Sequence, residues 1–252
     1  MSMHVVAYSL LAHPAALTQV PATNDIVLQI RDNAIVCNKV NRLGAVWGIA
    51  ATLNRIQMQA PSFRKVAQLE IQPVMRLMPV AGTAPSGWFR DFDRGPHLEM
   101  DDGEELAAWC TDGAGSNEQI NVFARLWEQA PQPVSGKIFS VRVTSATTVV
   151  ANTWSNCALT FDQNLPRGKF QLVGMRMNST SAQAFRVFFI NQTFRPGGVA
   201  QQSDYALDEP SQRYGRLGVW GEFDYLSPPT VDMFCTAADA AQEGIADLIY
   251  LG

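Results

Sequence analysis

The chain has 252 residues, enough for one large domain or two of ordinary size. Charged residues make up only 17%, against roughly 25% in an average soluble domain, so part of the surface is expected to be buried against other copies of the chain. A formal net charge of −4 and a pI near 5.4 exclude a broad basic footprint for nucleic acid and argue against direct wrapping of a genome.

The N-terminal run MSMHVVAYSLLAHPAALTQVP lacks the Lys/Arg start of a signal peptide. Its apolar stretch is also shorter than the roughly 20 residues of a membrane-spanning helix. It is expected to form a first β-strand, and the sequons at Asn178 and Asn191 then carry no weight. From there the periodicity is mostly near two. Strands are predicted over 25–30 (DIVLQI), 64–71 (RKVAQLEI), 121–127 (NVFARLW) and 137–143 (KIFSVRV). Further strands are predicted over 170–177 (FQLVGMRM), 185–190 (FRVFFI), 215–223 (GRLGVWGEF) and 246–251 (ADLIYL). Residues 45–59 and 237–245 read as two short, weakly amphipathic helices. Turn signals at 79–87, 113–117, 131–136, 166–168, 196–198 and 228–229 punctuate the strands, as in a sandwich or barrel.

Two blocks recur in the same order. Ser62-Phe63-Arg64 and Ala184-Phe185-Arg186 each precede a strand and a proline, with the arginines 122 residues apart (64 to 186). Trp109-Cys110-Thr111, Glu118 and Ile120 match Phe234-Cys235-Thr236, Glu243 and Ile245 at a constant offset of 125 (110 to 235). Duplication of a unit of about 125 residues explains both, a normal size for one β-sandwich. The predicted division is 1–131, a linker at 132–136, and 137–252.

Catalytic chemistry finds little support. The three histidines, His4, His13 and His97, are isolated in sequence, and no G-x-S-x-G elbow or P-loop occurs. A duplicated cupin needs two or three histidines per metal site, and the second half has none. Cys37, Cys110, Cys157 and Cys235 form no CxxC pair and read as reduced, buried, small apolar residues. The densest polar group is acidic: Asp91, Asp93, Glu99, Asp101, Asp102, Glu104 and Glu105. Such carboxylates can hold Ca²⁺, but EF-hand spacing is missing and a solvated loop over 91–105 is the expectation. A paired-carboxylate glycosidase has no further support in the sequence. Arg64 and Arg186 occupy equivalent repeat positions beside apolar residues, either paired with carboxylates at a sheet edge or subunit contact or standing in water at a strand edge. Trp47, Trp88, Trp154 and Trp220 either pack or stack on sugars, packing being the commoner use.

The runs 53–64 (LNRIQMQAPSFR) and 165–175 (LPRGKFQLVGM) carry a family resemblance. So do the turn 194–198 (FRPGG), the run 217–223 (LGVWGEF) and 228–230 (PPT). In layout and style the chain resembles the small double jelly-roll major capsid proteins of tailless icosahedral viruses, mainly of bacteria. The resemblance covers the whole chain without a strict motif. It implies an all-β fold of two tandem eight-stranded jelly-roll sandwiches with one or two short helices. It further implies a structural virion protein that is not an enzyme and needs no cofactor or metal. Such a protein self-assembles as a homotrimeric pseudo-hexagonal capsomer and then as an icosahedral shell. The implied partners are other copies of the chain, a separate pentameric vertex protein, and an inner membrane or minor capsid proteins, with no sequence-specific nucleic acid. The implied location is the virion, after synthesis in the host cytoplasm. The competing expectation is a β-sandwich binding module, such as a viral spike or a carbohydrate-binding protein.

Overall fold

The computed structural model describes residues 2–50, 53–65, 74–75, 88–91, 98–113, 115–202 and 212–252. The chain forms two compact units, Val5–Gln129 and Ala130–Gly252, the latter together with Met1–His4.

The N-terminal unit begins with β1 (Met3–Ala12), β2 (Thr18–Val20), β3 (Ile30–Arg31), β4 (Ala34–Cys37), β5 (Arg42–Ile49) and β6 (Leu53–Gln59). A short helix α1 (Pro61–Lys65) follows, then β7 (Val74–Met75), β8 (Trp88–Asp91), β9 (Leu98–Glu99), β10 (Glu104–Asp112) and β11 (Glu118–Trp127). One sheet runs β1-β11-β5-β8, with β9 also on β5. The other runs β3-β4-β10-β6-β7, with β2 also on β10. Take β2 to β4 as one interrupted second strand and β8 with β9 as an interrupted sixth. The sheets then run first-eighth-third-sixth and second-seventh-fourth-fifth, the double Greek key of a jelly roll.

The C-terminal unit has β12 (Ile138–Ser145), β13 (Trp154–Cys157), β14 (Thr160–Phe161), β15 (Lys169–Ser179) and β16 (Ala182–Phe188). They are followed by β17 (Gly197–Val199), β18 (Gln201–Gln202), β19 (Gly221–Asp224), β20 (Thr230–Cys235) and β21 (Gln242–Tyr250). Its sheets are β14-β12-β21-β15-β18, with β19 on β15, and β13-β20-β16-β17. With β14 and β18 set aside as additions, the same two orders return: β12-β21-β15-β19 and β13-β20-β16-β17. The protein is all-β, two jelly rolls in tandem.

Residue chemistry explains both the strands and the errors in predicting them. In β10, Leu106, Ala108 and Cys110 are buried while Ala107, Trp109 and Thr111 are part-exposed, the alternation of a half-buried strand. By contrast β5 is buried along nearly its whole length. Its run LGAVWGI therefore lacks period two, and 45–59, predicted as a helix, is in fact β5 followed by β6. Trp47 lies opposite Phe123 of β11 and stacks on it at 5.4 Å. Burying one such ring contributes about 1.5–3 kcal/mol. Tyr8 ties the sheets together, its hydroxyl donating to the Leu106 carbonyl at 2.8 Å.

Other expectations are corrected. Residues 25–29 are not a strand: the Asp25 carboxylate accepts from the Val27 and Leu28 amides and makes a turn. Residues 237–241 precede β21 without a helix, and 242–245 belong to that strand. Only 221–223 of the predicted strand 215–223 are extended, because Gly215 and Gly218 turn at φ of +71° and +76°. Phe63 and Arg64 lie in α1, whereas Phe185 and Arg186 lie in β16, so that pair of repeats is not equivalent. The true counterpart of β16 is β6. The strand predicted over 64–71 begins in α1, and 66–71 lie outside the described residues.

The second repeat block does mark equivalent strands. Cys110 and Cys235 are both buried on the strand next to last, β10 and β20. Glu118 and Ile120 sit on β11, Glu243 and Ile245 on β21. The match slips by one on these last strands: Ile120 is fully buried, whereas Ile245 lines an open surface cleft with Arg142 and Arg176. A one-residue change of phase reverses the face of every side chain.

Candidate functional site

Two buried ionic clusters, both in the C-terminal unit, are the most demanding chemistry in the described structure. Strand pairing sets up the first. Asn156 of β13, Asp232 of β20 and Arg186 of β16 are cross-strand neighbours. The Arg186 Nε and the Asn156 Nδ2 each donate to the Asp232 carboxylate at 2.9 Å, and Arg195 donates to it as well. Arg186 also lies over the Trp154 ring at 4.3 Å, and Arg195 over Phe188 at 4.7 Å. Asp232 is 2% exposed. Burial alone would raise its pKa, but the Arg186 charge, hydrogen bonds from Asn156 and Arg186, and the Arg195 charge hold it below the usual value.

The second cluster lies under the segment entering β19. Asp247 of β21 is fully buried and accepts from Arg213 through Nε at 2.6 Å and Nη2 at 2.8 Å. The Tyr214 amide and the Ser140 hydroxyl complete the shell at 2.8 Å and 2.7 Å. Gly174 permits this close approach: a Cβ there would meet the Asp247 Oδ2 at 2.7 Å and the Tyr214 nitrogen at 2.9 Å. Burial pushes the Asp247 pKa up, and the hydrogen bonds from Arg213, Tyr214 and Ser140, with the Arg213 charge, bring it below normal. Fully partnered carboxylates of this kind hold structure; nothing leaves them open to a substrate.

The predicted acidic group is dispersed over separate partners. Glu99 pairs with Arg42, and Glu105 with Arg31 at 3.1 Å. Glu104 accepts from the Ser62 hydroxyl at 2.8 Å, and Asp102 from the Lys39 amide at 2.5 Å. Asp93, His97 and the side chain of Asp91 lie outside the described residues. Among the described residues no three His, Cys, Asp or Glu side chains converge on a metal position. His4 is buried, its Nδ1 accepting from the Arg195 amide at 3.0 Å, and His13 lies in the β1–β2 connection. Trp47, Trp154 and Trp220 all pack, the last stacking on Phe185 at 6.1 Å, and the side chain of Trp88 is not described.

All four cysteines are buried and unpaired. Desolvation dominates: it pushes Cys37 and Cys110 up to about 12, and Cys157 and Cys235 to about 11. Thiolate is the reactive form, so all four should be inert in the folded protein. Titration with a chromogenic disulfide at neutral pH is expected to find no reactive thiol in the native protein and four after denaturation.

A carboxylate partner for Arg186 was one of two expectations, and it is met inside the sheet, on β16 between β20 and β17, not at an edge, while the side chain of Arg64 lies outside the described residues. The Asp247 cluster was not anticipated, yet both acids have a sequence signal. Asp232 in TVDMFC and Asp247 in IADLIY are lone acids within apolar strands, a pattern that demands a buried partner.

No known family profile matches the chain, and no curated protein matches it. Among solved structures, the chain is similar to the major capsid protein P2 from bacteriophage PM2. That similarity has 7% identity and a TM-score of 0.27, over 99% of this chain and 98% of that one. It is also similar to the STIV MCP, with 7% identity and a TM-score of 0.24, over 98% of this chain and 97% of that one.

Proposed function

We propose that the chain is a major capsid protein, a structural component that assembles as a homotrimer and then as an icosahedral shell. The observation that carries this reading is the repetition of one jelly-roll strand order in both halves. Two like lobes in one chain give three chains six like lobes, so a cyclic trimer approximates a hexagon and tiles a surface. Low charge suits broad contacts between subunits. The buried carboxylates are fully engaged in structural ion pairs, which favours scaffolding over catalysis, with no cofactor required. The proposed division places the first jelly roll at 1–131 and the second at 137–252, joined through 132–136. A closed shell of hexagonal tiles needs fivefold positions, which a separate pentameric vertex protein would fill. Minor capsid proteins or an inner membrane complete the proposed partners, and the proposed location is the virion, after synthesis in the host cytoplasm.

Light scattering of the purified protein, followed by negative-stain imaging, tests this. The expected species is a trimer of three 27.7 kDa chains, about 83 kDa, forming hexagonal plates or shells. A monomer that never assembles across salt and pH would overturn the reading in favour of a binding module.

A further inference from the structure

The two halves treat one outer sheet face in opposite ways. In the C-terminal unit, Asp232 stands two residues before Phe234 on β20, and the guanidinium groups of Arg186 and Arg195 engage it. In the N-terminal unit the matching position is Ala107, two residues before Trp109 on β10. Ala107 places a methyl group where the other half has its shared carboxylate, and the face is an open groove of about 480 Å³.

We propose that this groove is a binding site for a neutral carbohydrate. Its volume falls within the range of roughly 300–1,000 Å³ usual for ligand sites. The groove is open because Ala34, Ala60 and Ala107 contribute only methyl groups to its floor. Trp109, part-exposed, supplies an aromatic surface for the C–H face of a pyranose ring. Gln19 is its cross-strand neighbour on β2, and Gln59 of β6 also lines the groove. Each amide carries both donors and an acceptor, as hydroxyl-rich ligands require. The Gln19 amide nitrogen is held by the Asp32 carbonyl at 3.0 Å, which fixes that side chain in place.

The lining also argues against other ligand classes. Among the described residues no Lys or Arg lines the groove, and the carboxylates of Asp32 and Glu105 disfavour an anion. Trp109 is the only large apolar side chain among the described lining residues, too little for an acyl chain or a hydrophobic peptide. Glu105 is already paired with Arg31 at 3.1 Å, so the groove does not demand a cation. Carboxylate and amide acceptors beside an indole match vicinal hydroxyl groups.

The inference is independent of self-assembly, so either can fail alone. The full chain would be titrated with neutral mono- and disaccharides built on glucose, galactose, mannose, xylose and N-acetylglucosamine. Binding would be followed by ligand saturation-transfer NMR and by tryptophan fluorescence. At least one sugar is expected to bind saturably. Trp109→Ala and Ala107→Trp, the latter filling the groove, should each weaken that binding at least tenfold with unchanged far-UV circular dichroism. Should Trp109→Ala fail to fold, Ala107→Trp decides, since its side chain is added at a part-exposed position. No saturable binding by any sugar would overturn the proposal, as would wild-type affinity in Ala107→Trp.

Discussion

Asp247→Ala is expected to cost the C-terminal unit about 3–5 kcal/mol, the usual penalty for breaking a buried ion pair by removing one partner. The substitution takes the carboxylate away from the fully buried Arg213 guanidinium and removes the acceptors of the Tyr214 amide and the Ser140 hydroxyl. Tyr214 and Gly215 hold positive φ values of +56° and +71°, a conformation that the surrounding hydrogen bonds must maintain. Urea unfolding should show the lost stability, and hydrogen exchange should show the largest loss of protection over 212–218. Ser140→Ala removes one neutral donor and should cost only about 0.5–1.5 kcal/mol. The folded-state pKa of Asp247 is depressed, so its stabilisation is fully present above the ordinary Asp value of about 3.9. It is lost as pH falls through the lower folded value. Asp247→Asn should therefore flatten the acid limb of the stability profile as well as lower the plateau.

The fold was legible in sequence chiefly where strong β-formers lie between clear turn residues. The strands β12, β15 and β21 have strong β-formers and clear turn residues, and their positions were recovered to within a few residues. A strand buried on both faces, like β5, presents no polar face and so no period, and its continuous apolar run passed for a helix. The turn at 25–28 was mistaken for a strand because Ile26, Val27 and Leu28 favour extended backbone. The Asp25 side chain decides otherwise by capping two amides. The duplication was legible through the Trp109 and Phe234 blocks, since equivalent strands keep an aromatic beside a buried cysteine. The Phe-Arg match was coincidence, as a helix and a strand can share a dipeptide.

The chemistry of individual residues was harder to read, because partners come from distant strands. Arg213 meets Asp247 across 34 positions, and Arg186 meets Asp232 across 46. Sequence shows which acid needs a partner and not which base supplies it. The dense acidic run has distant partners as well. Its charges are conspicuous in sequence, but Glu105, Asp102, Glu99 and Glu104 are answered one by one, by Arg31, Lys39, Arg42 and Ser62, each at least 42 positions away. Proximity in sequence within such a loop places carboxylates beside each other without aiming them at one point.

Asp232 offers the sharper test of how the C-terminal sandwich is held. Asp232→Ala leaves two guanidinium groups, Arg186 and Arg195, without the carboxylate they share, and should cost about 3–5 kcal/mol. Arg186→Met should cost less, because Asn156 and Arg195 still donate to Asp232, and the methionine refills part of the space over Trp154. The double variant should be more stable than the sum of the two losses, by a coupling of about 0.5–3 kcal/mol, since it buries one cation fewer beside the lost carboxylate. Denaturant unfolding of the four proteins measures that coupling. A coupling near zero would mean that packing against Trp154, and not charge, places Arg186. The depressed pKa of Asp232 adds a second reading. Its contribution persists above the ordinary Asp range and fades as pH falls through its folded value, so the coupling should shrink in acid. A coupling that survives at low pH would assign the cluster to shape, and one that vanishes would assign it to charge.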